Sequence, residues 1–365
     1  MLVHYTSDIG PATNILRSGE FWFKKMKFTK DNQEINHFNM ELDRVVYTLD
    51  LIQMAEKNLV RMRAEPDNSM SILKEFLYEA TFYKEHYKET SIGGVLADFL
   101  RENTYLVCFT EGESEFHTTE YGGIGFVFEN NPFLQLGFIR RYKLLEEKVY
   151  YFDAQKIHTL QMEYSELITN GLAIPEEEYT PISLLKEYIR QLKRGHREYE
   201  SLLKDIVNGA KETAGLDFLD LFANGSDIEL REIVGFITRE VNEKRSRAYS
   251  SLAGTRKLSK KDISKKYERM DDIKPGLAMN LISCFLKDNR FKSDNETRIL
   301  ALPKNRGAIN NDFDDHLSIP FDRTLLKKIV VNSEQKDEDI ETIKGLLNEL
   351  GLDQIEVVSL EAHSV

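Results

Sequence analysis

Asp294-Asn295-Glu296-Thr297-Arg298-Ile299-Leu300-Ala301-Leu302 is the stretch on which the fold turns. It begins polar and runs into four apolar residues, the pattern of a strand that enters a core. What precedes it is different in kind. From 154 to 287 the apolar residues recur at helical spacing over 154–170, 180–208, 213–223, 226–249 and 275–287, broken at Gly171, Pro175, Gly209 and Asn224-Gly225. A strand that follows so long a helical run needs partners from elsewhere in the chain. Aromatic and β-branched content marks candidates over 2–5, 20–23, 104–109, 123–128, 134–139 and 147–152. Further strands are expected over 326–331 and 355–358, with a helix over 336–350 between them that Gly351 ends. Helices are also expected from Pro11 to Arg17, over 41–63, after Pro66-Asp67-Asn68-Ser69, and over 92–101. The expected architecture is α+β. One sheet domain is built from both chain ends, 1–153 and 288–365, and an α-helical insertion fills 154–287.

Composition narrows the class. The chain has 365 residues, 41% hydrophobic and 30% charged, which suits a globular protein with a sizeable core. No run of about 18 apolar residues predicts a transmembrane helix. The N-terminus lacks a basic segment followed by an apolar one, so a cytoplasmic protein without membrane association is expected. The two cysteines, Cys108 and Cys284, sit in apolar runs and read as buried free thiols. No cysteine or histidine spacing suggests a metal site. A net charge of -12 argues against broad nucleic-acid binding by the whole surface.

Three places combine residue types that can do chemistry. His4-Tyr5-Thr6-Ser7 lies on the first expected strand; an edge-strand histidine without a function reads the same way. In the opening stretch, strand alternation puts Asp294, Glu296 and Arg298 on one face, where the guanidinium can orient the carboxylate of Glu296. A solvated strand entrance with a surface ion pair is the plain alternative. Glu111-Gly112-Glu113-Ser114-Glu115 and then His117-Thr118-Thr119-Glu120-Tyr121-Gly122-Gly123 join two expected strands. This reads as a loop that presents the Tyr121 ring beside a glycine pair, where a ligand can approach the backbone. No Gly-x-Gly-x-x-Gly fingerprint marks a Rossmann dinucleotide site.

Taken in order, His4-Tyr5-Thr6-Ser7, Ser18-Gly19-Glu20-Phe21-Trp22, Cys108-Phe109-Thr110-Glu111, Tyr121-Gly122-Gly123-Ile124-Gly125-Phe126 and Asn295-Glu296-Thr297-Arg298-Ile299 form a layout. It resembles a bacterial family of domains of unknown function, itself similar to the ADP-ribosyltransferase fold of diphtheria toxin, the poly(ADP-ribose) polymerases and DarT-type DNA-modifying toxins. The resemblance covers about 1–152 and 288–360. It implies NAD as co-substrate and transfer of ADP-ribose to a macromolecular acceptor, protein or nucleic acid, in a toxin or phage-defence setting. An NAD glycohydrolase and an inactive partner-binding module are the alternatives. The resemblance makes Glu296 the catalytic carboxylate and His4 the hook for the adenosine-side ribose. Tyr121 becomes the ring stacked on nicotinamide, with Tyr5, Thr6 and Arg298 as further NAD contacts.

From Lys244 to Arg269 ten Lys/Arg stand against Asp262 and Glu268, with Tyr249 and Tyr267 among them. Basic residues interleaved with aromatics can hold phosphates and stack bases. Lys257, Lys260 and Lys261 are the candidates there for contact with a nucleic-acid acceptor. A solvated helix end is the alternative, and the insertion can equally meet a protein target or an antitoxin-like inhibitor.

Overall fold

A computed structural model describes residues 1–29, 48–49, 51–90, 92–113, 115–133, 141–153, 155, 180–214, 228–256, 277, 280–309, 315–332, 335 and 337–360. The chain divides into two compact units. The first comprises 1–32, 100–149 and 290–365; the second comprises 33–99 and 150–289.

The first unit is α+β, as expected. Its strands are β1 (Leu2–Thr6), β2 (Glu20–Lys25), β3 (Tyr105–Glu111), β4 (Ile124–Phe128) and β5 (Tyr142–Lys148). After β6 (Tyr150–Phe152) and β7 (Leu286–Asp288), which pair in parallel within the second unit, come β8 (Glu296–Pro303), β9 (His316–Pro320), β10 (Leu326–Asn332) and β11 (Glu356–Leu360). The nine strands among the described residues of the first unit form one mixed sheet. Its main path runs β11-β10-β4-β1-β3-β2-β9, and β8 adds to β3 and carries β5 on its far side. The opening stretch of the sequence is therefore an interior strand, flanked by β3 and β5.

Strand β3 is where the sheet forks. One edge pairs continuously with β8, from Tyr105↔Ala301 to Thr110↔Glu296. The opposite edge is shared by two strands: β1 takes its end, with Leu2↔Glu111 and Val3↔Thr110, and β2 takes its beginning, with Lys24↔Leu106 and Lys25↔Tyr105. Beyond Val3, β1 continues against β4 alone.

One sheet face carries the core. Alternation on β2 sends Phe21 and Phe23 inward, and Phe109, Phe126, Phe128, Phe133 and Phe321 meet them. Phe21 is fully buried and makes edge-on contacts to Phe126, Phe128 and Phe133 at 5.8–6.0 Å between centroids. Each such pair adds about 0.5–1.5 kcal/mol beyond the area it buries. Helices α1 (Ile9–Ser18) and α3 (Asp337–Glu349) supply Ala12, Ile15, Leu16, Ile343, Leu346 and Leu347 to this core. Helix α2 (Glu115–Glu120) lies between β3 and β4 in sequence. The Asp8 carboxylate caps α1 by accepting from the Gly10 amide at 2.9 Å, and Gly19 ends it at φ 70°.

The second unit includes helices over 51–64, Ser69–Thr90, Pro181–Ala214 and Ile228–Arg256. Leu51, Ile52, Ala55, Met62, Ile72 and Phe76 pack against Leu185, Tyr188, Ile189 and Leu192. That shared core carries residues 33–99 into the second unit, whereas the sequence pattern assigned them to the sheet domain. Two boundaries also differ. The expected strand over 147–152 is the end of β5 followed by β6. The expected helix over 275–287 gives way to β7 at Leu286. Strand β9 was not foreseen. The segments 134–139, 156–170 and 215–223 lie outside the described residues.

Neither cysteine is in a disulfide; Cys284 is buried and Cys108 half-buried. Among the described residues no helix is long and apolar enough to cross a membrane.

Candidate functional site

Glu296 and Arg298 form the center of the candidate site. Asn295 turns through the left-handed region at φ 43°, so the strand phase begins only at Glu296. Asp294, in the preceding 3-10 turn, is out of that phase, and the expected trio on one strand face reduces to the Glu296–Arg298 pair. Arg298 Nε donates to Glu296 Oε1 at 2.7 Å. The guanidinium is wholly buried and Glu296 is 6% exposed, so this is an interior ion pair and not a solvated strand entrance. Burying both charges is expensive, and the pairing offsets part of that cost.

Register fixes what shares their face. Glu296 stands opposite Thr110, which stands opposite Val3, and Arg298 stands opposite Cys108. Val3 and Tyr5 alternate onto the same side of β1. Tyr5 lies across from Gly125, where a Cβ would come within 2.8 Å of the tyrosine ring; the absent side chain leaves the room the ring occupies. The His117 ring sits 5.8 Å from Tyr5 and 5.9 Å from Tyr121, so three rings form a row. His117 is 4% exposed, and its Nε2–H donates to the Ser293 carbonyl at 3.0 Å. That bond ties the aromatic row to the turn just before Glu296. Tyr121 is 41% exposed, the accessible end of the row. The expected loop before it includes α2, which places the buried His117.

Gly122 follows at φ 136°, packed on the Thr6 backbone so closely that any side chain would strike the Thr6 carbonyl. Gly122→Ala is expected to cost more than about 1 kcal/mol in chemical denaturation, because both the dihedral and the contact exclude a Cβ.

His4 lies elsewhere. It is paired with Phe126, on the core face, and its ring lies 4.8 Å from Phe21 and 5.5 Å from Phe109. Its Nδ1–H donates to the Cys108 carbonyl at 2.9 Å, in the part of β3 between its β1 and β2 pairings. The histidine thus satisfies a carbonyl beside the fork. Burial pushes its pKa down, against the opposing effect of that hydrogen bond. His4, Tyr121 and Glu296, to which the resemblance gives the hook, the stacking ring and the catalytic carboxylate, are therefore distributed. Glu296 shares a face with Tyr5, Tyr121 joins that face through His117, and His4 lies on the other face at the fork. Cys108 links the two sides, bonded to His4 and paired with Arg298. Thr6 is buried at the end of β1. Lys257, Lys260 and Lys261 lie outside the described residues.

Sequence reasoning missed Glu147. It stands directly across β5–β8 from Arg298 and is 8% exposed. Its neighbours along the strand, Glu146 and Lys148, are charged as well, and nothing in that spacing marks Glu147 as buried. Burial, with Glu146 adding to it, raises the Glu147 pKa to about 7. Between its ordinary value of 4.5 and about 7, the folded protein therefore holds a proton that the unfolded chain releases. Stability is expected to decline as pH rises through that window. Urea titrations across it should show a slope that Glu147→Gln flattens.

Among the described residues no three His, Cys, Asp or Glu side chains gather as metal ligands. No family model, curated protein or solved structure matches this chain.

Proposed function

We propose that the chain is an ADP-ribosyltransferase-like enzyme that cleaves NAD and passes ADP-ribose to a macromolecular acceptor. One observation carries this reading: a buried carboxylate, Glu296, is held by Arg298 at the start of an interior strand, across β3 from the fork where β1 and β2 divide the other edge of β3. Cleaving the bond from nicotinamide to ribose develops oxocarbenium character at the ribose carbon, as in glycoside cleavage. A fixed negative charge in a water-poor site stabilises that carbon more strongly than it could in water. Arg298 fixes the Glu296 carboxylate in one orientation before any substrate arrives.

The aromatic row supports the same reading. Tyr121 offers an accessible ring for the flat, cationic nicotinamide, and His117 and Tyr5 back it. His4 has spent Nδ1–H on Cys108, which leaves Nε2 as the acceptor for a ribose hydroxyl. Because His4 and Glu296 face opposite ways, the reading requires the dinucleotide to enter the fork itself. A role in toxicity or phage defence rests on resemblance alone.

The test is incubation of the protein with NAD labelled in its adenylate half, together with cell extract. Label moved to macromolecules is the expected result. Release of nicotinamide and ADP-ribose with no transfer makes the protein a glycohydrolase. Intact NAD overturns the reading in favour of a partner-binding module.

A further inference from the structure

Trp22, the only tryptophan of the chain, is 55% exposed and stands with Lys24 on the sheet face opposite the aromatic core, the face that also carries Arg298 and Glu296. Strand alternation sends Phe21 and Phe23 inward and leaves Trp22 and Lys24 outward. On the neighbouring β9, His316 is exposed and directly opposite Lys24. Its ring stacks on the indole at 4.5 Å between centroids, with 28° between planes. Just after β2, Phe28 is 44% exposed, and the Lys27 ammonium stands 4.8 Å from its ring. Residues 21–29 hold three lysines and no carboxylate, in a chain whose net charge is -12. The nearest acids along the two strands are Glu20 and Asp315, one at the start of β2 and one just before β9.

A cross-strand ring pair stabilises a sheet by about 0.2–1 kcal/mol and needs no ligand. Such pairing does not account for an indole that stays more than half accessible, nor for a second exposed ring and lysines following on the same ribbon. Flat rings with cations beside them are the means by which proteins hold unpaired bases without reading sequence. We propose that the Trp22–His316 stack, with Lys24, Lys27 and Phe28, is a platform for single-stranded nucleic acid. Trp22 stacks on a base and the lysines meet the flanking phosphates. The inference goes beyond the NAD reading and stands without it; where both hold, the acceptor is a nucleic acid.

A single tryptophan makes the test direct, since all intrinsic indole fluorescence comes from the platform. Full-length protein is titrated with single-stranded DNA and RNA of about twelve nucleotides, with the matching duplex, and with NAD. Saturable quenching by the single strands, weaker for the duplex, is expected. Raised salt should weaken binding with a logarithmic slope of about -1 to -2, for one or two neutralised phosphates. In anisotropy with a labelled strand, Trp22→Ala should weaken binding by about tenfold or more, and Trp22→Phe should keep most of it. His316→Ala, at a second exposed position, should also weaken it. Three results each overturn the proposal: no quenching by any strand, strand binding that Trp22→Ala leaves unchanged, or quenching by NAD alone.

Discussion

Glu296→Gln is expected to lower NAD cleavage by at least about a hundredfold while the protein keeps its fold. Glutamine is the discriminating substitution because of the local geometry. Its amide oxygen can still accept from Arg298 Nε, which now donates to Glu296 Oε1 at 2.7 Å, so the shape of the site persists. What disappears is the negative charge. At 6% exposure little solvent is available to replace it. Under the proposed reading that charge acts on the transition state more than on the bound substrate, so kcat should fall and KM change little. Nicotinamide release is the measurement. A variant as active as the parent would show that Glu296 does no chemistry, whatever the fate of NAD.

Arg298→Met is expected to have the largest effect on stability, a loss of about 3–5 kcal/mol, the range for breaking one side of a buried pair. The size follows from asymmetry. Arg298 is wholly buried and Glu296 nearly so; removing the cation takes away the guanidinium that holds a nearly buried carboxylate. Urea unfolding followed through Trp22 reads this loss directly, because residue 22 belongs to the same unit. Adding Glu296→Gln to Arg298→Met should restore part of the stability, since the charge that lost its guanidinium is then gone. If Arg298→Met unfolds at the parent midpoint, the pair is not the interior feature described.

What the sequence disclosed depended on the range of the interaction behind it. Strands β1, β2, β3, β4, β8 and β10 were legible because short-range alternation or continuous apolarity marks them. Phe21 and Phe23 point inward for the same reason that Trp22 points out. The α+β class followed from strand pattern returning at Thr297 after a long helical run. Strand β9, only His316–Pro320 and ended by a proline, carries too few apolar positions to stand out. The transfer of 33–99 to the helical unit was hidden because amphipathic helices record that they have a buried face, not which neighbour covers it. At the site, the Glu296–Arg298 spacing gave the ion pair but not its burial. The fork was invisible, being a matter of which strands share an edge. His4 looked like a ligand hook, and its first observed partner is a backbone carbonyl.

The place of β8 in the sheet also bears on how the protein comes to exist. Its two ladder partners, β3 and β5, are both made before the long segment that precedes it. A chain leaving the ribosome therefore presents each with an open hydrogen-bonding edge until Glu296–Pro303 arrives. Closing such distant pairs is slow, since loop entropy must be overcome before the ladder contributes anything in return. The catalytic candidate and the strand that closes the open edges of β3 and β5 are the same piece of chain, so covering those edges and installing Glu296 are one event during synthesis, with β9, β10 and β11 still to follow.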